Sequence, residues 1–175
     1  VLSHRDSDHT GGAAALLAQQ PGAALLASLE DGHELLGLRP VATRCAAGQG
    51  WEWDGVRFDV LHPAQPYSGG AVKPNAVSCV LRIAARGGAG PVALLVGDIE
   101  QPQESALVAG QAAALRAHVL LAPHHGSKTS SSGPFLDAVA PSLALVQTGY
   151  RNRFGHPAPD VVARYEAQGI SVVRS

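Results

Sequence analysis

The stretch Ser-His-Arg-Asp-Ser-Asp-His-Thr-Gly-Gly at residues 3–12 places four side chains able to bind a metal, His4, Asp6, Asp8 and His9, within six positions. Imidazole nitrogens and carboxylate oxygens together suit zinc, manganese and related divalent ions. In an extended or gently turning segment alternate side chains point the same way, so His4, Asp6 and Asp8 are expected to face one cavity while His9 reaches a neighbouring point. That arrangement suits two ions a few ångströms apart better than one. Capping of a following helix by Asp8 or Thr10 would account for a single such residue, not for four.

Three later stretches carry chemistry at the ends of apolar runs. Asp98 closes Leu94-Leu95-Val96-Gly97-Asp98; it is a good bridging carboxylate between two metals, although Gly-Asp also occurs in ordinary turns. Leu120-Leu121-Ala122-Pro123 delivers His124 and His125, followed by Ser127, Lys128 and a run of hydroxyls suited to phosphate oxygens. The bland alternative there is a solvated turn with a helix cap. Gly149–Pro157 gathers Arg151, Asn152, Arg153 and His156, where a substrate could lie or where a basic surface loop could simply be solvated. His33, His62 and His118 stand alone and are expected to be surface or satisfied core residues.

These residues need elements to hold them. A helix is expected from Ala13, stopped by Pro21-Gly22. Trp51–Leu61 predicts a hairpin about Asp54-Gly55, with Val56, Phe58 and Val60 alternating against Arg57 and Asp59. A second hairpin is expected from Ser78–Ala84 through a turn over residues 86–91 to Val92–Val96. From residue 101 the pattern alternates: helix near Glu104–Arg116, strand Val119–Ala122, helix near Phe135–Val139, strand Leu143–Gln147, helix near Pro159–Gln168, strand Ile170–Val173. Hairpins followed by β-α-β alternation predict an α/β fold with sheets flanked by helices, and residues 1–175 read as one domain.

Composition bounds the function. Apolar residues make up 46% of the 175 and charged residues 15%, as in globular material. The net charge of −1 excludes a broadly basic nucleic-acid coat, so an anionic partner must be held by local charges or bound metal. The apolar stretch Ala13–Leu29 is interrupted at Gln19–Gly22, short of the ~20 residues of a membrane span, and no signal peptide is apparent. Methionine is absent, at position 1 included, and the chain is read as an excerpt of a longer protein. Cys45 and Cys79 are too few for a disulfide framework or a zinc knuckle and are expected as two small buried residues.

Taken together, "SHRDSDHTGG", "LLVGDIE", "LLAPHHGSKTSSS" and "GYRNRFGHP" resemble the metallo-β-lactamase superfamily, and within it the C-terminal domain of ComEC-type DNA-internalisation proteins of natural competence. The resemblance implies a metallo-β-lactamase-like αββα sandwich whose N-terminal strands precede this chain. Matched to the superfamily's His-x-His-x-Asp-His motif, it makes His4 and Asp6 ligands of one metal, Asp8 and His9 ligands of a second, and Asp98 the bridge. The last ligand falls at His124 or His125, with His125, directly before glycine, favoured. Two departures fall on the first site: Asp6 replaces a histidine, and no histidine fills the slot ahead of Gly97-Asp98, near which Asn75 and, earlier, His62 stand. That site is expected to hold zinc less tightly or to prefer a harder ion such as manganese.

The implied cofactor is one or two divalent ions, zinc or manganese, and the implied reaction is metal-assisted hydrolysis of DNA, on the strand not taken into the cell. Asp8 and Asp98 would orient the nucleophile. Ser127, Lys128, Arg151 and Asn152 would hold the phosphate, and His156 would serve as general acid. The expected partners are single-stranded DNA, met through its phosphates, and the membrane-channel portion of the same parent protein. No stable separate protein partner is predictable. This domain would be soluble, on the periplasmic or outer side of an inner-membrane parent. Rival functions are a non-catalytic module that guides DNA and a hydrolase of another small phosphodiester.

Overall fold

In the computed structural model, which describes residues 1–88 and 90–175, the ligand-rich opening is not extended throughout. Ser7–Thr10 winds into one helical turn, α1, with Asp6 in extended conformation at its N-cap position. The amides of His9 and Thr10 bond back to the Asp6 carbonyl at 2.9 and 3.0 Å, and the Thr10 hydroxyl to the same atom at 3.1 Å. The expected alternation therefore holds only from His4 to Asp6. Asp8 and His9 diverge by about 100° around a helical turn, and neither Asp8 nor Thr10 caps the helix that follows, whose N-cap is Gly12. Helix α2 (Ala13–Gln19) follows as expected.

Two short strands went unrecognised in the sequence. β1 (Leu25–Ala27) and β2 (Ala42–Arg44) pair in parallel, and Leu2 bridges to Ala27 on the far side. Ala13, Leu17, Leu25, Ala27, Leu29 and Leu35 bury against one another beneath them.

The main sheet has seven strands in sequential order: β3 (Gly50–Trp53), β4 (Val56–His62), β5 (Val80–Ala85), β6 (Val92–Leu95), β7 (Val119–Leu121), β8 (Leu143–Val146) and β9 (Ser171–Arg174). The first four pair antiparallel and the last four parallel. Asp54-Gly55 turns the first hairpin with both residues at positive φ, +49° and +77°, the twist that two-residue turns need. The turn expected over 86–91 includes Ala89, outside the described residues. The parallel pairs require crossovers, which α3 (Gln101–Leu115), α4 (Gly133–Val139) and α5 (Pro159–Ala167) supply.

Alternation along β5 buries both faces of the sheet. Val80 and Ala84 join the core that includes Leu94, Leu107, Leu120, Phe135 and Tyr165, whereas Leu81 and Ile83 pack with Val60, Phe58 and Cys79. The fold is mixed α/β, a seven-stranded mixed sheet with helices and a second small sheet. No helix among the described residues is long and apolar enough to cross a membrane.

The cysteines correct the sequence expectation. Both are buried, but they form a disulfide across 34 residues, with Cα atoms 5.9 Å apart. The bond ties the end of β2 to the segment entering β5, and the Cys79 amide donates to the Ser3 carbonyl at 2.9 Å, so it also anchors the opening segment. A bridge over that separation restricts the unfolded chain by about 2–4 kcal/mol. Guanidinium unfolding of the Cys45→Ala/Cys79→Ala protein should show a loss of about that size, and thiol titration of the unreduced wild type should find no free cysteine.

Candidate metal centre

Parallel strands β6, β7 and β8 present their carboxyl ends at one edge of the sheet, the edge where open α/β sheets bind ligands. Asp98 follows β6, His124 and His125 follow β7, and the 149–156 loop follows β8. The opening segment crosses this edge through the Ser3 and Leu2 backbone bonds to Cys79 and Leu26. The turn after β6 needs Gly97: its φ is +53°, and a Cβ there would stand 2.8 Å from Ser3 Cβ.

The structure brings His4, Asp6, Asp8, His9, Asp98 and His125 together. Asp98, 5% exposed, is the hub, with Oδ1 3.1 Å from His9 Nε2 and Oδ2 3.4 Å from His125 Nε2. His125 Nε2 is also 3.2 Å from Asp8 Oδ2 and 3.3 Å from His9 Nε2. His4 is fully buried and its Nε2 lies 3.5 Å from Asp6 Oδ2. Two triplets, His4/His9/Asp98 and Asp8/His9/His125, each hold their ligand atoms within 4.8 Å.

The chemistry of this donor set fits a cation. Among the described residues His4 Nε2 has no hydrogen-bond partner, and an orphaned buried ring nitrogen facing a carboxylate cluster is costly unless something electron-poor meets it. Two imidazole nitrogens 3.3 Å apart can share only one proton, whereas lone pairs aimed at one point suit a metal. Positioning contacts that sequence inspection missed turn those nitrogens inward. Ser3 Oγ stands 3.1 Å from His4 Nδ1 and 2.9 Å from His9 Nδ1, and buried Ser78 Oγ is 3.3 Å from His4 Nδ1 while accepting from the Asp98 amide. Such contacts on the outer nitrogen set which ring nitrogen is offered as a ligand. In sequence, two serines beside turns carry no signal that separates them from ordinary loop residues.

His124 and His125, undecided in the sequence, take different places. Only His125 joins Asp8 and His9. His124 Nε2 lies 3.8 Å from Asp98, while its Nδ1 faces Glu100 at 3.3 Å, backed by Thr129, which donates to Glu100 at 2.7 Å. Asn75, placed near the slot of the absent histidine, approaches the His124 ring at 3.5 Å. His62 is elsewhere, bonded to the Ser78 carbonyl at 2.8 Å.

The residues expected to hold phosphate are used unevenly. Lys128 and Arg151 are exposed. Ser127 is buried and its hydroxyl meets Thr129 Oγ1 at 3.0 Å. Asn152 binds the backbone of His156 at both ends, 2.8 and 2.9 Å, so it positions His156 rather than presenting a free amide. His156 lines a cleft of about 540 Å³ with Asp8, His9, His125 and Phe154.

The hydroxyl-rich loop is held from beneath by Glu104, fully buried on α3, which accepts from the Ser131 and Ser132 amides at 2.5 and 2.8 Å. Burial raises its pKa against those bonds. Ser131 Oγ meets the Tyr165 hydroxyl at 2.9 Å, and burial pushes that phenol up to about 12. Glu104→Ala leaves the buried Ser131 amide and the half-buried Ser132 amide without acceptors and should lower unfolding free energy by about 3 kcal/mol in chemical denaturation.

Electrostatics couple the cluster. Burial pushes the Asp98 carboxyl up, but hydrogen bonds and charge from His125 and His9 outweigh it and hold Asp98 well below the usual carboxylate range. The same bond to Asp98 outweighs desolvation at His125 and raises it to about 9. Burial, then His9, lowers His4. In metal-free protein the His125 contribution to stability is therefore complete below its unfolded value near ~6.5 and fades as pH rises through about 9. The Asp98 contribution is present above ~3.8 and fades as pH falls. NMR titration of metal-free protein should find the His125 imidazole still protonated at pH 7.5. Zinc addition should release that proton, because only the neutral ring is a ligand.

No protein-family model matches the chain. Along all 175 residues it is 39% identical to competence protein ComA of Neisseria gonorrhoeae, of which the match covers 23%. It is 34% identical over 169 residues to the Escherichia coli protein YcaI, covering 97% of this chain and 21% of that protein. With Recombination protein 2 of Haemophilus influenzae the figure is 32% over 164 residues, 94% of this chain and 19% of the relative. The chain thus spans about a fifth of the length of these curated relatives, two of which are named as a competence protein and a recombination protein.

Proposed function

We propose that this chain is a metal-dependent phosphodiesterase domain of a DNA-uptake protein, with a metallo-β-lactamase-like arrangement of its sheets, acting on DNA beside a membrane channel in the same parent. The observation that carries this is the convergence of His4, His9, Asp98, Asp8 and His125 at the carboxyl ends of parallel strands, with the buried His4 Nε2 lacking a hydrogen-bond partner among the described residues. The competence-protein relatives support the substrate class. The buried disulfide supports an oxidising compartment such as the periplasm.

His4, His9 and Asp98, or Asp8, His9 and His125, would hold a divalent ion, which would supply Lewis acidity for a phosphoryl oxygen and would lower the pKa of water from 15.7 to about 7. His9 Nε2 belongs to both ligand triplets but offers one lone pair, so it would serve one ion at a time, completed by His4 and Asp98 or by Asp8 and His125. Asp8, exposed on α1, and Asp98 accept hydrogen bonds from an attacking water and orient it. Lys128 and Arg151 draw the phosphate to the cleft. His156 Nδ1 is buried without a hydrogen-bond partner among the described residues, and burial, then His124 and His125, lower its pKa. A phosphate beside it reverses that bias, which suits a proton donor to the leaving oxygen.

A second function, a module that guides DNA without cutting it, is favoured by the first site. The resemblance puts Asp6 in place of a histidine there, and Asn75, near the slot of the absent imidazole, approaches the His124 ring at 3.5 Å. A single-strand nuclease assay with added Mn²⁺ or Zn²⁺ separates the two. Asp98→Asn and Asp8→Ala should each lower the rate at least about 100-fold, the order of effect of removing one electrostatic contact at a reacting centre. Equal rates in wild type and both variants would leave only the guiding role.

A further inference from the structure

The loop joining β8 to α5 borders the cleft through Gly149, Asn152, Phe154 and His156 and exposes two aromatic rings, Tyr150 at 90% and Phe154 at 68%. Neither ring serves the core, and each lies under a guanidinium. Arg151 Cζ is 5.3 Å from the Tyr150 centroid and Arg153 Cζ 5.0 Å from that of Phe154. Phe154 lines the same cleft as Asp8, His9 and His125. It stacks on His156 with centroids 5.9 Å apart and planes 16° from parallel, and His156 meets the His124 ring edge-on at 5.7 Å. Phe154, His156 and His124 thus form a line of rings leading from solvent toward Asp98, and Asn152 fixes its middle through the His156 backbone.

A ligand that uses this run must offer flat π faces at short intervals along an anionic chain. Single-stranded nucleic acid does so: its bases stack on aromatic side chains whatever the sequence, while arginines meet its phosphates. A duplex does not, because its base faces are already stacked on one another and only edges are exposed. With a net charge of −1 over the whole chain, attraction has to be local, and both arginines sit on this loop.

We infer that Tyr150 and Phe154 form a base-stacking platform that seats single-stranded DNA with its backbone across the cleft and selects single strands over duplex. This deepens the DNA reading of the site and rests on it. The platform acts through the bases, independently of the phosphates and of hydrolysis.

The test is fluorescence anisotropy of a labelled oligothymidylate with the full 175-residue chain, with chelator present so that nothing is cut. Tyr150→Ala and Phe154→Ala should each weaken binding about 5- to 160-fold, the range for loss of one base–aromatic stack, and Tyr150→Phe should keep affinity within about twofold of wild type because the ring face is kept. An abasic oligomer of equal length and charge should bind wild type as weakly as it binds Tyr150→Ala. Circular dichroism of the variants should match wild type, as expected for exposed side chains. Unchanged oligothymidylate affinity in both alanine variants would overturn the platform. Equal binding of the abasic strand, or no binding of single strands by wild type, would do the same. Since binding is read without catalysis, a chain that stacks bases but fails to cut DNA would lose the nuclease and keep the platform.

Discussion

A carboxylate with 5% exposure must be compensated, and Asp98 is compensated almost wholly by imidazoles. That one constraint organises the rest of the molecule. His9 reaches Asp98 because one helical turn follows Asp6, His125 because a glycine-terminated turn follows β7, and His4 approaches because the opening segment is bonded to both sheets. The parallel order of β6, β7 and β8 makes the meeting possible, since it brings three successive strand ends to one edge. Without a cation the compensation is a charged His125 against an ionised Asp98. With one, the same atoms would serve as ligands, and His125 would have to give up its proton to do so.

The surroundings hold this geometry from several directions. Ser3 and Ser78 orient the outer nitrogens of His4 and His9, the disulfide fixes the segment against which Ser3 is bonded, and Glu104 holds the loop that follows the histidine pair. His124 and His125 themselves sit at positive φ, +47° and +54°, conformations that non-glycine residues adopt only when their surroundings require it. Gly126, at φ +78°, admits Pro157, whose Cβ would lie 2.6 Å from any Cβ added there. In this way the histidine pair and the loop that ends at Pro157 are packed against each other.

Much of this was legible in the sequence. Asp54-Gly55 between alternating residues named its hairpin, and the apolar runs ending in Asp98 and His124 named both the strands and the edge to which they deliver. What stayed hidden depended on tertiary context. β1 and β2 have three residues each and no alternation, too short for a periodic signal. α1 is a single turn, and isolated turns have no sequence signature because helix nucleation is unfavourable without packing. Cys45 and Cys79 looked like two small core residues because nothing in a 34-residue separation reports spatial proximity. Asn152 carried the right chemistry for phosphate, but its amide is directed to the backbone of His156.

The account turns on whether these side chains gather around a cation. Crystals grown with Mn²⁺ and measured at the manganese edge test that directly. The account predicts an anomalous peak within coordinating distance of Asp98 and His9, flanked by His4 or by His125 and Asp8, and its loss in Asp98→Ala. A chain that binds no manganese at this edge of the sheet, or binds it equally well without Asp98, would contradict it.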